Sequence, residues 1–103
     1  MPITNTSEKT KIQVRTDVTE PSQFAVVYIN DDHTSFDFVI ASLIGIFSFD
    51  AEAAYAMART IHEEGRGVVA ILPYETAEQK SLEVMALAKI AGFPLVARVE
   101  ELN

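Results

Sequence analysis

The sequence FAVVYINDDHT, residues 24–34, is the stretch around which the rest of this chain is organised. Its opening run is rich in β-branched and aromatic side chains, which pack well on a pleated surface, so it predicts a buried strand. Asn30, Asp31 and Asp32 mark the end of this strand, and an amphipathic segment follows at once. Polar side chains between a strand and a helix are well placed to line a site at the edge of an α/β domain.

The composition predicts one globular domain, because the chain has 103 residues, of which 49% are hydrophobic. It has no cysteine, which excludes disulfides and thiolate metal sites and agrees with a reducing compartment. The net charge of -7 would repel a phosphate backbone, so nucleic acid is not expected as a partner. The apolar runs are shorter than the roughly 20 residues that cross a bilayer, and the N-terminus lacks signal-peptide features. We therefore expect a cytoplasmic protein with no membrane partner.

Residues 1–23 differ in composition from the rest of the chain. They are rich in polar side chains, contain two prolines and show no sustained period, which predicts a disordered or extended N-terminal tail. Within it, Ile12 and Val14 indicate at most a brief strand. Residues 24–103 are then the core domain, which we expect to be a monomer.

Two segments with helical spacing follow the first strand. The first predicts a helix over residues 36–47, with these apolar positions along one face: Phe36, Val39, Ile40, Leu43 and Phe47. Ser48 and Asp50 are the candidate N-caps of a second helix, which should end at Gly65. Its apolar face would hold Ala54, Met57, Ala58 and Ile61.

The second half of the chain predicts a strand, a helix and a strand. Residues 67–72 form an apolar run that predicts a second buried strand, which Pro73 closes. Thr76 and Gln79 have capping-box spacing, so a third helix should begin near Ala77 and end at Gly92. Its buried stripe should hold Val84, Leu87, Ala88 and Ala91. Pro94 opens a last strand, in which Leu95, Ala97 and Val99 alternate with outward positions. The order β-α-α-β-α-β predicts an α/β (α+β) sandwich with one sheet covered by helices.

The chemically interesting residues are Asp31, Asp32, His33 and His62. They could in principle bind a metal ion or act as an acid-base pair, although adjacent carboxylates tend to diverge and no HExxH or calcium-loop spacing accompanies them. The alternative is a turn in which Asn and Asp side chains hydrogen-bond local backbone, with His62 a partly buried histidine near a helix end. No nucleophile elbow or phosphate-binding loop is present in the sequence, so catalysis has no obvious machinery.

Several short blocks resemble the ClpS adaptor family. They are NDDHT at residues 30–34, FV at 38–39, IH at 61–62, AEQK at 77–80 and FPL at 93–95. The family pattern is roughly N-D-D-[YH]-T-P-M-[ED]-F-V, then V-H-x-x-G, A-E-T-K and H/F-P-L, and the likeness runs without gaps from about Val26 to Glu100. The resemblance implies a non-enzymatic, cofactor-free adaptor of the bacterial N-degron pathway. Such adaptors hand the N-terminal peptide of a substrate protein to a Clp AAA+ unfoldase, and they fold as three antiparallel strands with three helices.

The resemblance also implies roles for individual residues. Asn30, Asp31 and His62 would surround the α-amino group of the bound peptide, since an ammonium presents three donors and needs three acceptors. Asp32 and Thr34 would order the junction between strand and helix and bond to the peptide backbone. The first side chain of the peptide would enter a hydrophobic pocket, whose implied lining is Phe36, Val39, Ala58, Ile61 and Leu95.

The chain departs from the family pattern at several of these positions. Ser35 replaces the usual Pro and Phe36 the usual Met, while Ala58 stands where a larger Met is common. The smaller Ala58 predicts a pocket that accepts Ile and Val as well as Leu. Whether Phe, Tyr or Trp is also accepted as a first residue stays open, because Phe36 would narrow the mouth of the pocket.

Glu75 and Lys80 match family positions that contact the N-domain of the unfoldase. Gln79 replaces the family threonine between them, and the alternative is that both charges are simply solvated at a helix start. Two other functions remain open beside the adaptor. One is a metal-dependent hydrolase that uses Asp31, Asp32, His33 and His62. The other is an interaction domain like the C-terminal domain of the ribosomal stalk protein, which has a similar sandwich and would not require a free amine.

Overall fold

The structure is a computed structural model that describes residues 23–102. Its elements are β1 (Gln23–Ile29), α1 (Phe36–Phe47), α2 (Ala51–Glu64), β2 (Arg66–Pro73), α3 (Tyr74–Ala91) and β3 (Val96–Glu101). The predicted order β-α-α-β-α-β and the α+β class are confirmed. The predicted tail and its brief strand at Ile12 and Val14 lie outside the described residues. None of the helices within residues 23–102 combines the length and apolarity that a bilayer crossing requires.

Strand β1 is the centre of a three-stranded antiparallel sheet with the order β2-β1-β3. Its residues from Ala25 to Tyr28 are buried, as expected for a strand that pairs along both edges. Ile29, its last residue, pairs with Arg66 and Val96, the first residues of the two outer strands. The polar loop after Ile29 therefore leaves the sheet at the end where β2 and β3 begin.

The three helices bury their apolar faces against the sheet. Each helix contributes small or aliphatic side chains to the core: Val39, Leu43 and Ile46 from α1, Ala54, Ala58 and Ile61 from α2, and Ala77, Val84 and Ala88 from α3. The prediction was wrong for Leu87 and Ala91, which are exposed. The buried face of α3 includes Ala77 and Ser81 instead, and the Ser81 Oγ donates to the carbonyl oxygen of Ala97 at 2.5 Å, which joins α3 to β3.

The start of α3 also differs from the prediction. The helix begins at Tyr74, not Ala77, directly after Pro73, which ends β2 with φ -59°. The Tyr74 ring packs edge-on against Phe24 with centroids 5.1 Å apart, and this contact joins the first turn to the sheet. Thr76 consequently lies inside the helix and is not its N-cap. A tertiary contact has overridden a local capping signal.

The junction between α1 and α2 separates the two candidate caps. Ser48 is the C-cap of α1, directly after Phe47. It lies in the left-handed region, with φ 62°, and its amide donates to the carbonyl of Leu43. Asp50 is the N-cap of α2, where its carboxylate accepts from the Ala53 amide at 2.8 Å. The last strand begins at Val96, two residues after Pro94, and the predicted alternation holds from Leu95 to Arg98 but not beyond, because Val99 and Glu100 are both half-buried. The prediction of a buried strand at residues 67–72 was wrong, because β2 alternates, with Gly67 and Val69 buried while Val68 and Ile71 are exposed.

Candidate functional site

A cavity of about 410 Å³ lies beside the end of β1. Residues from the polar loop, the first turn of α1 and the last turns of α2 line it: Asn30, Asp31, Asp32, Thr34, Phe36, Val39, Ala58, Ile61 and His62. These residues come from two segments that are far apart in sequence. The structure therefore brings nine of the predicted site residues to one place.

Asp31 organises the loop. Its Oδ1 accepts from the amides of His33 and Thr34, both at 2.8 Å, and its Oδ2 accepts from the Thr34 hydroxyl at 2.8 Å. This is the Asx-type turn expected from an Asn and Asp cluster. A carboxylate offers about four acceptor positions, so Asp31 keeps capacity for one further donor.

The ionised form of Asp31 is favoured in the folded protein. Burial by itself raises the pKa of this carboxyl, but the hydrogen bonds from Thr34 and His33, together with the charge of His33, lower it by more. The net pKa of Asp31 lies below its ordinary value. Asp31 thus supplies a fixed negative charge at the cavity.

A backbone hydrogen bond joins the loop to α2. The amide of Asn30 donates to the carbonyl oxygen of Gly65 at 2.9 Å, and Gly65 is the residue that ends α2. Since His62 lies in the last turn of that helix, this bond helps keep the imidazole beside Asn30 and Asp31. His62 is exposed, so the prediction of a partly buried histidine was wrong.

The apolar part of the cavity is positioned by helix geometry. Ser35 caps α1, accepting from the Phe38 amide at 3.0 Å, and so fixes Phe36 and Val39 on the first turn. Ala58 and Ile61, each 2% exposed, lie one turn apart on α2. The role of Ser35 was missed in the sequence, although a serine just before an apolar helical segment is a standard start signal.

Tyr55 is a second residue that sequence reasoning missed. Its ring meets Phe36 edge-on, with centroids 5.5 Å apart and an interplanar angle of 79°. Both rings are partly open to solvent, at 37% for Phe36 and 51% for Tyr55. Tyr55 precedes Ala58 by three residues on α2, and this spacing was the available signal.

The remaining predicted residues lie elsewhere. Leu95 is in the core at 4% exposure and is not among the residues that line the cavity. His33 faces a separate shallow depression beside Phe93 and Pro94. Lys80 donates to the carbonyl oxygen of Ile46 at 3.0 Å, and Glu75 is exposed in the first turn of α3.

The cavity therefore combines acceptors on one side with an apolar wall on the other. Amide and carboxylate oxygens and an imidazole can accept hydrogen bonds from a cation, while Val39, Ala58 and Ile61 can receive an apolar group. Within residues 23–102, no three His, Asp or Glu side chains are grouped closely enough to hold a metal ion. The arrangement suits a ligand that is charged at one end and hydrophobic at the other.

Comparisons with known proteins identify what this chain is similar to. The family described as ATP-dependent Clp protease adaptor protein ClpS matches residues 19–98. The ClpS adapter of Wolinella succinogenes is 41% identical over 93 residues, covering 90% of this chain and 91% of the relative. That of Campylobacter jejuni (strain RM1221) is 43% identical over 101 residues, covering 98% and 99%. The solved structure of Agrobacterium tumefaciens ClpS2 bound to L-phenylalaninamide has a TM-score of 0.78 and 33% identity, over 80% of this chain and 99% of that chain.

Proposed function

Because this chain belongs to the ClpS family of ATP-dependent Clp protease adaptor proteins, we propose that it binds the N-terminal residue of substrate proteins and delivers them to a Clp AAA+ unfoldase. Proteins of this family are adaptors and not enzymes, so the alternative of a metal-dependent hydrolase is not favoured. The observation that supports the proposal is the cavity itself, in which hydrogen-bond acceptors adjoin an apolar wall.

The polar side of the cavity would bind the free α-amino group. An α-ammonium has three N–H donors, and Asn30 Oδ1, the open position on Asp31 and an imidazole nitrogen of His62 would accept from them. Asp32 and Thr34 would bond to the peptide backbone that follows. Hydrogen bonds to a charged group contribute roughly 1.5–3 kcal/mol each, so these contacts would select a chain terminus over an internal residue.

The apolar side would receive the first side chain. Ala58 is 2% exposed and carries only a methyl group, which leaves room beside Val39 and Ile61 for a guest that branches at its β-carbon. We therefore propose Leu, Ile and Val as first residues. The relative bound to L-phenylalaninamide supports adding aromatic residues to this list, with Phe36 in the cavity wall and Tyr55 packed edge-on against it.

The test is isothermal titration with two peptides that begin with a free Leu or a free Ser and are otherwise identical. The Leu peptide should bind with one-to-one stoichiometry. The Ser peptide should bind at least about tenfold more weakly, because burying a Leu side chain contributes roughly 1.5–3 kcal/mol. Excess chelator should leave both affinities unchanged. Equal affinity for the two peptides would contradict the proposal. An affinity that depends on chelator would favour the alternative of a metal-dependent hydrolase.

We propose that Glu75 and Lys80 contact the unfoldase. Substitutions at the two positions should differ in their effect on stability. Lys80 also stabilises the fold, because it donates to the Ile46 carbonyl and lies 5.8 Å from the centroid of the Phe47 ring. Lys80→Ala should therefore lower the free energy of unfolding by about 1 kcal/mol as well as weaken docking.

Glu75→Ala provides the matched comparison, because Glu75 is exposed. It should weaken docking on the isolated unfoldase N-domain and lower the free energy of unfolding by less than Lys80→Ala does, since an exposed carboxylate in a first helical turn contributes only roughly 0.3 kcal/mol through the helix dipole. Urea titrations and co-sedimentation with the N-domain measure the two effects separately. Undiminished docking of both variants would show that neither Glu75 nor Lys80 contacts the unfoldase.

A further inference from the structure

Side chains of α2 fill the space where a side chain at Gly67 would lie. Gly67 is buried in β2 opposite Tyr28 of the central strand. A Cβ at this position would lie 2.8 Å from Ile61 Cγ1 and 2.9 Å from Met57 Sδ. Both distances are shorter than real Cβ contacts. Ile61 and Met57 therefore occupy the space that the Cβ of any other residue at position 67 would need.

Of these two neighbours, Ile61 has less freedom to move. Met57 Sδ is near the far end of a flexible chain and can swing aside. Ile61 Cγ1 is attached to a β-branched carbon with a stiff χ1 torsion, so its displacement moves the whole side chain. Ile61 is 2% exposed and lines the candidate cavity. The cavity is therefore unfilled space into which Ile61 can be pushed.

We propose that Gly67, which is not among the residues lining the cavity, is a positioning residue that sets the depth of the first-residue pocket. Without a side chain at position 67, Ile61 lies back against the sheet and leaves the pocket deep. Strand β2 cannot easily retreat to make room, because Gly67 is paired with Tyr28 in the ladder. This inference rests on the proposed function, and it adds a determinant of which first residues fit.

The test is the variant Gly67→Ala, measured with peptides that begin with Leu, Phe or Val and are otherwise identical. A displaced Ile61 shortens the pocket, so the longer guests should lose more. We expect affinity for the Leu and Phe peptides to fall about tenfold and affinity for the Val peptide to change by less than about threefold. The selectivity ratio is the informative readout, because a general loss of stability would weaken all three peptides alike.

Gly92→Ala is the matched control. Gly92 has φ 86° at the end of α3, so alanine there is strained, but its added Cβ would meet no other atom within 4 Å among the described residues. This variant should lose stability and keep the wild-type selectivity ratio. In a second comparison, Gly67→Ala should have no further effect on the ratio when Ile61→Ala is already present, because the displaced side chain has been removed.

Two results would overturn this inference. One is a uniform change in affinity, or none, across the three peptides while a free amine is still required, which would leave the proposed function intact. The other is a crystal structure of Gly67→Ala in which Ile61 has not moved toward Val39 and the cavity is undiminished. That structure decides the question even if none of the peptides binds, an outcome that would contradict the proposed function separately.

Discussion

A Leu-initiated peptide should bind at least about a hundredfold more weakly once its first amino group is acetylated. Acetylation removes the positive charge and leaves one N–H donor where the free terminus has three. Asn30, Asp31 and His62 would then face a neutral amide, and the acetyl carbonyl would add an acceptor beside the Asp31 carboxylate. Loss of two charge-assisted hydrogen bonds, at roughly 1.5–3 kcal/mol each, accounts for the expected factor.

The measurement is a pair of calorimetric titrations with the free and the acetylated peptide. Amidation at the far C-terminus of the same peptide serves as the control, because it also removes a charge but should leave the affinity unchanged. If the acetylated peptide binds within about threefold of the free one, the amine site is excluded. The chain would then fit the other alternative, an interaction domain that does not depend on a free amine.

The variant Ala58→Met should lower affinity for a Val-initiated peptide by at least about thirtyfold and affect a Leu-initiated peptide by less than about threefold. Ala58 is 2% exposed in the cavity wall, so the larger side chain must occupy space that the guest would otherwise use. A guest branched at its β-carbon is widest next to the backbone and has little freedom to turn away. Leu branches one carbon later and can extend past the obstruction.

Ala56→Met is the control for the same substitution on the same helix. Ala56 is exposed on α2 and does not line the cavity, so this variant should bind both peptides as the wild type does. Competition binding with the two peptides gives the ratio directly. Unchanged affinity of Ala58→Met for the Val peptide would show that Ala58 does not control the width of the pocket.

Local patterns predicted the order and type of the elements because helices and strands repeat with different periods. The run at residues 24–29 and the helical spacing after it needed no knowledge of distant residues. Asp50 and the glycines that end α2 and α3 act through neighbouring backbone, so they could also be recognised. The start of α3 could not, because the edge contact between Tyr74 and Phe24 joins residues 50 positions apart and outweighs the capping signal at Thr76.

Most of the candidate site came from the resemblance to the ClpS family, not from periodicity. Nine of the named residues line one cavity, whereas Leu95 lies in the core and Lys80 bonds to α1. The functional roles of these residues stay predictions until peptides are measured. The places of Tyr55 and Gly67 beside the site were not predicted, because neither residue belongs to the motif blocks on which the resemblance depends.

The amino-acid sequence alone determined the element order, most helix ends and the polar turn at residues 30–34, since each depends on side chains and backbone within a few positions of one another. The contact between this turn and the end of α2, through the bond from the Asn30 amide to the Gly65 carbonyl, depends instead on the packing of the folded chain. The same is true of the position of Ile61 against Gly67. The physical reason is that such contacts depend on how packed elements are placed in space, which no local period encodes.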